Sequence, residues 1–398
     1  MPSITENKQG LKVLITGSIL QLFLGIIYVW SVFVKPVSDF YVWSVDSVKL
    51  TSSFMLCFFV IGILAGGKAQ VKIGVKLTIL IGGLMVAAGM LATALIPSGG
   101  NVFLIYLFYG IIGGFGVGAG YNANISCAQK WFPQNRGLAT GISVCAFGIS
   151  TVIFAPLVTT LITKFDVKYT FLILAAGFAA AVLIFFNFIK SPEQVPNAAA
   201  PVLKGKQYTT LEMIKTPRFY LIALSLMFGT SVFFIILPSL KELAINRNLA
   251  SFATGLVMFT GIANALGRLG APLMSDKIGR EMADIIILAA TALGAFGLCF
   301  ATGPLLIVII AVVAFCYGGY SGLYPVLTSG NFGIKNIGSN YGAVMVGFML
   351  SALLFPIVIK KIGDQKLQFI ALGALAVVGV VLVVILRVMN LRQAKEES

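Results

Sequence analysis

One loop segment occurs twice in the sequence: Lys72-Ile73-Gly74 returns as Lys277-Ile278-Gly279, 205 residues further along the chain. A second motif keeps the same displacement, because Lys130, Asn135 and Gly137 return as Lys335, Asn340 and Gly342. Two separate motifs with one gap-free spacing indicate an internal repeat. Each motif lies at an equivalent place in its half, so the halves are predicted to share one topology, as parallel repeats do.

The regions around these motifs are strongly apolar. Of 398 residues, 59% are hydrophobic and 10% charged, and the mean hydropathy is +1.00. Soluble domains carry about 25% charged residues, so this composition excludes a soluble single-domain enzyme as well as a disordered chain. A membrane-spanning helix needs about 20 apolar residues. Twelve charge-poor runs are long enough, at 12–34, 50–67, 77–98, 102–128, 138–163, 169–189, 219–240, 249–275, 285–301, 303–329, 339–359 and 367–386.

The predicted fold class is therefore an all-α integral membrane protein with twelve transmembrane helices. A polar stretch from Ser191 to Pro217 divides the runs into six and six. The predicted domains are a first six-helix bundle over 1–190, a cytoplasmic linker over 191–217 and a second six-helix bundle over 218–398. Parallel repeats of this kind are related by a pseudo-twofold axis along the membrane normal, with a substrate site near the midplane.

The charge distribution predicts the orientation. Lys and Arg number 28 against 13 Asp and Glu, for a net charge of +15. If both termini are cytoplasmic, 18 of the cations fall in cytoplasmic segments and nine in the opposite loops. This bias predicts a multi-pass protein of the cell (inner) membrane with both termini cytoplasmic, and the excess is expected to face anionic lipid rather than nucleic acid. With no His and five scattered Cys, neither a metal nor a cofactor is expected.

Arg268 is the strongest single candidate for a site residue. It lies eight residues before Asp276, about 12 Å along a helix and too deep for easy access to the interface. Such an arginine costs at least about 2.5–3.5 kcal/mol to insert, so it needs an anionic partner. All 13 acidic residues fall in loops, at the termini or near span ends, which disfavours the alternative of an ion pair within the membrane. We therefore expect Arg268 to bind a substrate carboxylate, which suits its planar guanidinium.

Tyrosines provide candidate hydrogen-bond donors. Tyr317, Tyr320 and Tyr324 are spaced i, i+3 and i+7, which places them on one face of the tenth predicted span. An interfacial position is the alternative for Tyr324, since tyrosine is enriched at membrane boundaries. Tyr317 and Tyr320 lie about halfway along the span and are predicted to contact the substrate. Asn264 precedes Arg268 by four residues and so shares its helical face.

Several motifs carry a resemblance to a known superfamily. The stretches 67–76 and 275–280 resemble the loop signature between the second and third helices of major facilitators, although Val71 stands where an Asp is usual. A closer resemblance is to the oxalate/formate antiporter family and its monocarboxylate-transporter relatives. The residues that carry it are Tyr28-Val29-Trp30-Ser31, Lys130-Trp131-Phe132-Pro133, Asn135-Arg136-Gly137, Tyr317-Gly318-Gly319 and Gly338-Ser339-Asn340-Tyr341-Gly342.

This resemblance implies roles for particular residues. Arg268 falls on the arginine of the eighth helix that binds substrate carboxylate in that family, and Tyr28 and Tyr121 fall on substrate-contact positions. Asn264 replaces an Asp implicated in proton handling in animal monocarboxylate carriers, and an amide cannot titrate. Phe348 stands in the place of a Lys of the oxalate exchangers.

The apolar wall completes the predicted site. Ile27 and Phe147 are apolar where the oxalate site of the resembled exchangers is more polar. Together with Phe348 they are predicted to line the part of the cavity that holds the carbon skeleton. A dicarboxylate needs two cationic contacts, and this cavity is predicted to offer one. An alignment shifted by one helical turn is the alternative that stays open.

The predicted function is secondary transport of small organic monocarboxylates such as lactate, pyruvate or formate, by a monomer and without enzymatic activity. The predicted mechanism is alternating access by rocking of 1–190 against 218–398. With no His and no membrane-buried carboxylate expected, no dedicated proton relay is predicted, and proton symport and anion exchange both stay open. The alternatives are an oxalate/formate-type dicarboxylate:monocarboxylate antiporter and a carboxylate-sensing membrane receptor without transport.

Overall fold

The computed structural model describes residues 7–192, 206–236, 240–249 and 252–396, and these residues contain helices but no strand. Twelve helices account for most of them, and their number confirms the predicted count of spans. They are α1 (Lys8–Tyr41), α2 (45–73), α3 (75–94), α4 (Phe103–Trp131), α5 (136–165), α6 (167–185), α7 (Pro217–Ile236), α8 (Ala253–Ile278), α9 (Arg280–Gly297), α10 (Gly303–Phe332), α11 (Ile337–Lys360) and α12 (Gln365–Glu396).

Two pairs of helices are joined without a loop. The stretch Val45–Ala94 breaks at Gly74, where φ is 84° and ψ is 161°, and Arg136–Phe185 breaks at Asp166, where φ is 68°. Asp166 begins α6 by accepting the backbone N–H of Tyr169 at 3.1 Å, as an N-cap carboxylate does. In the described chain, eight continuous helical stretches are long and apolar enough to cross a membrane. The two broken ones span about 75 Å each, enough to cross a bilayer core of about 30 Å twice.

Two helices depart locally from α-helical geometry, which the apolar pattern did not predict. Helix α1 passes through a 3₁₀ turn at Gly25–Val29, and α4 passes through a π-helical stretch at Tyr106–Gly113. Such local changes of helical geometry rotate the side chains that follow them, and they often occur at functional sites. In α1 the irregular turn contains two of the predicted site residues, Ile27 and Tyr28.

The helices cluster into two compact units. The first comprises the described parts of 1–134, 146–204 and 336–342, and the second comprises the described parts of 135–145, 205–335 and 343–398. In this division the beginnings of α5 and α11 are exchanged between the two halves, and the predicted bundles 1–190 and 218–398 stay a prediction. Both exchanged segments contain a copy of the repeated motif, at Gly137 and at Gly342.

Among the close helix contacts of each unit is a pair of helices in direct backbone contact, and we call these two contacts the glycine seams. At these glycines a Cβ atom would overlap a carbonyl oxygen of the facing helix. The pairs are Gly62 with Phe115 and Gly118 with Phe59 in α2 and α4, and Gly267 with Phe315 and Gly318 with Asn264 in α8 and α10. Close approach through small residues is the usual basis of helix association in lipid. The seam residues of α2 and α8 are displaced by the repeat spacing of 205, whereas those of α4 and α10 are displaced by 200.

The seams give a stability prediction. We expect Gly267→Ala to destabilise the protein by about 1–3 kcal/mol, because the new methyl group forces α8 and α10 apart. The matched control is Gly261→Ala in the same helix, where nothing lies within 4 Å of the added atom and where alanine favours the helix by about 1 kcal/mol. Thermal unfolding of the purified protein in detergent compares the two. Equal unfolding temperatures for both variants would contradict the close contact at Gly267.

The described part of the linker packs on the second unit. Residues 193–205 of the predicted linker 191–217 lie outside the described residues. Beyond them, the Tyr208 N–H donates to the carbonyl of Phe332 at 3.0 Å, and a short helix, Thr210–Met213, begins with a capping box between Thr209 and Glu212. Hydrogen bonds from the backbone and side chain of Thr209 hold the pKa of Glu212 below its usual value. This segment therefore has a defined structure against the end of α10.

Candidate functional site

Arg268 lies in the interior of the second unit. Its side chain is 2% exposed, and its Nε donates a hydrogen bond to Oδ1 of Asn264 at 2.9 Å. The i, i+4 spacing predicted a shared face, and the structure brings these two residues together. A bond to Nε holds the plane of the guanidinium while its two terminal nitrogens form the edge that matches a carboxylate. Asn264 is therefore placed to orient Arg268.

The second glycine seam positions this pair. A Cβ on Gly318 would overlap the carbonyl oxygen of Asn264, and one on Gly322 would lie 2.5 Å from the carbonyl oxygen of Arg268. The segment of α8 that contains Asn264 and Arg268 therefore lies directly against α10. Because α10 also contains Tyr317 and Tyr320, the glycines set how closely the tyrosine helix approaches the arginine helix.

An aromatic cluster forms around Tyr317. Its ring stacks on Phe233 of α7 with centroids 4.0 Å apart, and Phe234 meets it edge-on at 5.7 Å. Phe348 of α11 contacts Phe234 at 5.1 Å and Tyr317 at 6.2 Å. The structure therefore brings the predicted residues Tyr317 and Phe348 into one cluster. Phe233 and Phe234 were not predicted as members, because α7 is apolar on all sides and its sequence does not mark one face.

The other two tyrosines of α10 are buried within the second unit. Tyr320 is 1% exposed, and its hydroxyl lies 2.7 Å from Oγ1 of Thr291 in α9. Tyr324 is fully buried, which excludes the interfacial alternative, and its hydroxyl lies 2.9 Å from Oγ of Ser225 in α7. The rings of Tyr320 and Tyr324 lie 6.0 Å apart, as their spacing along one helical face predicts. The predicted role of Tyr320 as a substrate donor stays a prediction, and its bond to Thr291 does not favour that role.

Asp284 corrects one prediction. The sequence predicts no membrane-buried carboxylate, because each acidic residue falls in a loop, at a terminus or near a span end. Asp284 does lie near an end, one turn into α9, yet its side chain is fully buried. The position along the chain was predicted correctly, but burial depends on the helices packed against α9, whose packing the sequence does not show. The sequence did offer one clue to a buried polar group in this region. Tyr320 and Tyr324 share a helical face, and hydroxyl groups on a buried face need polar partners.

Four predicted site residues lie in the first unit, where three of them are in contact. The ring of Phe147 in α5 meets Tyr28 of α1 at 5.4 Å and Tyr121 of α4 at 4.8 Å. Phe59 of α2, which was not predicted, contacts Tyr121 at 5.3 Å. Tyr121 is buried, whereas Tyr28 is 39% exposed. These residues form an aromatic surface with two phenol groups, of which only that of Tyr28 is substantially exposed.

Ile27 occupies a different environment from its neighbour Tyr28. It lines an apolar cavity within the first unit, together with Met55, Met90 and Tyr109. Consecutive side chains of a helix point about 100° apart, so Ile27 and its neighbour Tyr28 face different surroundings. The role of Ile27 as a wall of the substrate site stays a prediction.

Asp276 links the repeated loop motif to the beginning of α5. Its carboxylate accepts the backbone N–H groups of Gly137 at 3.1 Å and Leu138 at 2.9 Å. The first N–H groups of a helix have no partner within the helix and favour a negative charge. The equivalent position of the first half is Val71, which is 62% exposed and has no charge. The two copies of the motif therefore differ in this contact.

The described residues do not contain a group of three or more His, Cys, Asp or Glu that could hold a metal ion. All five cysteines are free thiols. The polar groups that the structure brings into contact are instead the guanidinium of Arg268 and the amide of Asn264, and such groups recognise anions through hydrogen bonds. This donor set is suited to reversible binding of an anion.

Comparisons with known proteins agree with this architecture. Residues 14–356 match the family model of the Major Facilitator Superfamily. The chain is 28% identical to the uncharacterized MFS-type transporter YhjX of Escherichia coli (strain K12), over 85% of each chain. It is 26% identical to the oxalate:formate antiporter of Oxalobacter formigenes, over 80% of this chain and 76% of that one.

A vertebrate relative and a solved structure extend these matches. Monocarboxylate transporter 12 of Xenopus laevis is 26% identical, over 74% of this chain and 70% of that one. The solved structure of the proton:xylose symporter XylE bound to 6-bromo-6-deoxy-D-glucose is 17% identical and covers 94% of this chain and 95% of that one. Its TM-score of 0.72 reports a shared fold. The family match over most of the chain, together with the twelve helices, shows that this protein belongs to the Major Facilitator Superfamily and is a membrane transporter.

Proposed function

We propose that this transporter carries small organic monocarboxylates, such as lactate, pyruvate or formate. The observation that carries the proposal is Arg268, a cation that is 2% exposed and oriented by Asn264 at 2.9 Å. A buried charge in a membrane-spanning helix is expensive and marks a substrate or ion pathway. A guanidinium binds a planar carboxylate through two parallel hydrogen bonds, which makes that group the preferred anion.

The substrate's carbon part is proposed to contact aromatic surfaces. Phe348, Tyr317 and Phe234 form an apolar surface in the second unit, and Phe147 lies with Tyr28 and Tyr121 in the first. These rings supply apolar area, and the phenol groups of Tyr28, Tyr121 and Tyr317 supply hydrogen-bond donors. A small anion with a short apolar skeleton matches this combination better than a sugar, which needs many polar contacts.

The transport cycle we propose is alternating access, in which Arg268 is exposed first to one side of the membrane and then to the other. We also propose that the protein is a monomer in the cell (inner) membrane with both termini cytoplasmic. The orientation is supported by the 18 cations in the proposed cytoplasmic segments against nine in the opposite loops.

A dicarboxylate:monocarboxylate antiporter is the second candidate. The observation that favours it is the 26% identity to the oxalate:formate antiporter of Oxalobacter formigenes. The presence of Phe348 favours the monocarboxylate, because a second carboxylate next to this ring would lose its hydration without gaining a charged partner. Phe348 is 6% exposed and is surrounded by other rings.

Uptake into proteoliposomes tests the proposal. The purified protein is reconstituted, and the entry of labelled lactate, formate and oxalate is measured with and without an unlabelled anion inside. We expect lactate or formate to enter faster than oxalate. Preferred uptake of oxalate that requires internal formate would favour the antiporter, and binding of these anions without any uptake would favour the sensing alternative.

A further inference from the structure

A short aromatic turn follows α6 in the first unit. Residues Phe186–Phe188 form a 3₁₀ turn in which no residue is buried. The Nζ of Lys12 in α1 lies 4.7 Å from the centroid of the Phe188 ring. On α3, the Nζ of Lys76 lies 4.8 Å from the centroid of the Phe186 ring. Both distances are those of a cation–π interaction, and we call these four residues the lysine–phenylalanine turn.

The turn lies at one boundary of the predicted spans. Lys12 begins the charge-poor run 12–34, Lys76 directly precedes the run 77–98, and the two rings lie near the end of the run 169–189. The ends of such runs lie where the hydrocarbon of the bilayer meets the headgroups. The two ammonium groups are therefore placed at the level of the lipid phosphates.

A backbone contact fixes the chain that leaves the turn. The carbonyl of Lys190 accepts the indole N–H of Trp131 at 2.7 Å. This bond ties the end of α6 to the end of α4, so the turn is held in place from the side opposite its lysines. The rings are thus a fixed support for the two ammonium groups.

The charge at this end of the first unit is unbalanced. Among the described residues of the unit, the lysines at this end are Lys8, Lys12, Lys68, Lys72, Lys76, Lys130 and Lys190. The described acidic residues of the unit, Asp39, Asp46 and Asp166, all lie at the opposite end of its helices. Two of these acids pair there with Lys35 and Lys49. The described part of the unit therefore provides no carboxylate for the lysine–phenylalanine turn.

The helix ends add to this positive charge. The N-terminus of a helix has a partial positive charge, which acidic residues in the first turn commonly offset. Helix α1 has no acidic residue in its first turn, and the first turn of α3 contains Lys76 instead. An anion at the lysine–phenylalanine turn is therefore attracted by two ammonium groups and by two helix ends.

We infer that the lysine–phenylalanine turn binds the phosphate of an anionic phospholipid. Each ring covers one side of an ammonium group and leaves N–H donors for the phosphate oxygens. Phe188 is 40% exposed and supplies apolar area directly beside Lys12, which suits a molecule that has acyl chains next to its phosphate. Basic groups at the ends of transmembrane helices recognise anionic headgroups through the same chemistry. The inference does not depend on which substrate the transporter carries.

Thermal unfolding in a neutral detergent tests the inference. The purified full-length protein is titrated with short-chain phosphatidylglycerol, which is anionic, and with phosphatidylcholine of the same chain length, which has no net charge. We expect phosphatidylglycerol to raise the unfolding temperature at a much lower concentration than phosphatidylcholine does. Equal titrations by the two lipids would overturn the inference.

Inorganic phosphate distinguishes the two sources of a phosphate group. It presents the same oxygens without acyl chains, so we expect it to stabilise the protein much less than phosphatidylglycerol at the same concentration. An equal rise of the unfolding temperature would assign the turn to free phosphate and would overturn its assignment to a lipid.

Two double variants with the same loss of charge test the location of the site. We expect Lys12→Gln/Lys76→Gln to need about tenfold more phosphatidylglycerol for half of the stabilisation, because two charged contacts to the phosphate are lost. The matched control is Lys68→Gln/Lys72→Gln, which removes two exposed lysines near the end of α2 and should respond close to wild type. Equal responses of the two double variants would reduce the effect to the overall charge and would overturn the site.

A third double variant guards against a loss of folding. Lys12→Arg/Lys76→Arg keeps both cations and their contact with the rings, because arginine also forms cation–π interactions. We expect it to retain the response to phosphatidylglycerol. A response as weak as that of Lys12→Gln/Lys76→Gln would contradict binding through these two charges.

Discussion

Arg268→Gln is expected to insert into the membrane and to lose transport of monocarboxylates. Glutamine keeps a hydrogen-bonding side chain but removes the charge and the paired N–H groups that bind a carboxylate. Each charged hydrogen bond contributes about 1.5–3 kcal/mol, so loss of two lowers affinity by about a hundredfold or more. Uptake of labelled lactate into proteoliposomes at matched protein content measures the effect.

Arg268→Lys should fail nearly as fully, because an ammonium group is a point charge and does not replace the planar pair of donors. The matched control is Lys277→Gln, which removes one cation from the exposed end of the same helix, α8. This variant should transport at close to the wild-type rate. Wild-type uptake by Arg268→Gln would remove Arg268 from the binding site.

Oxalate is expected to bind at least tenfold more weakly than lactate, and Phe348→Lys is expected to narrow or reverse this preference. One guanidinium neutralises one carboxylate. A second carboxylate beside Phe348 would be buried without a partner, at a cost of several kcal/mol. A cost of about 1.4 kcal/mol already lowers the binding affinity tenfold. A lysine at this position supplies the missing cation and also weakens the apolar surface for lactate. The measurement is inhibition of labelled lactate uptake by unlabelled oxalate.

Phe348→Met separates the two effects of this substitution. It removes the ring that contacts Phe234 and Tyr317 without adding a charge, so it should weaken lactate binding and leave oxalate a poor inhibitor. If the wild-type protein prefers oxalate, another cation must reach the substrate, and the monocarboxylate proposal fails.

Much of the fold could be predicted from the sequence because lipid imposes a simple rule. Long runs without charged residues form helices that cross the membrane, and charged segments such as Lys72-Ile73-Gly74 lie between those helices. The shared face of Asn264 and Arg268 follows equally simply from helical spacing. These predictions depend on one helix at a time, and the structure confirms the helices and this pair.

The remaining features depend on contacts between helices. The burial of Asp284 arises from the helices packed against α9, and nothing in its own helix distinguishes it from an exposed acid near a span end. The 3₁₀ turn at Gly25–Val29 could not be predicted, because apolar composition is the same in either helical geometry. Phe233 and Phe234 belong to the aromatic cluster because of where α7 packs. Every face of α7 is apolar, so its sequence does not show which face packs there.

The glycine seams also determine how this sequence can change over generations. At Gly62, Gly118, Gly267 and Gly318 the facing backbone occupies the space of any side chain, so a replacement has to displace a whole helix. Outward-facing residues such as Leu293, which is 71% exposed, meet no such restriction, and one apolar side chain there can replace another. We therefore expect substitutions to accumulate on the outward-facing surfaces first and at the seam glycines last.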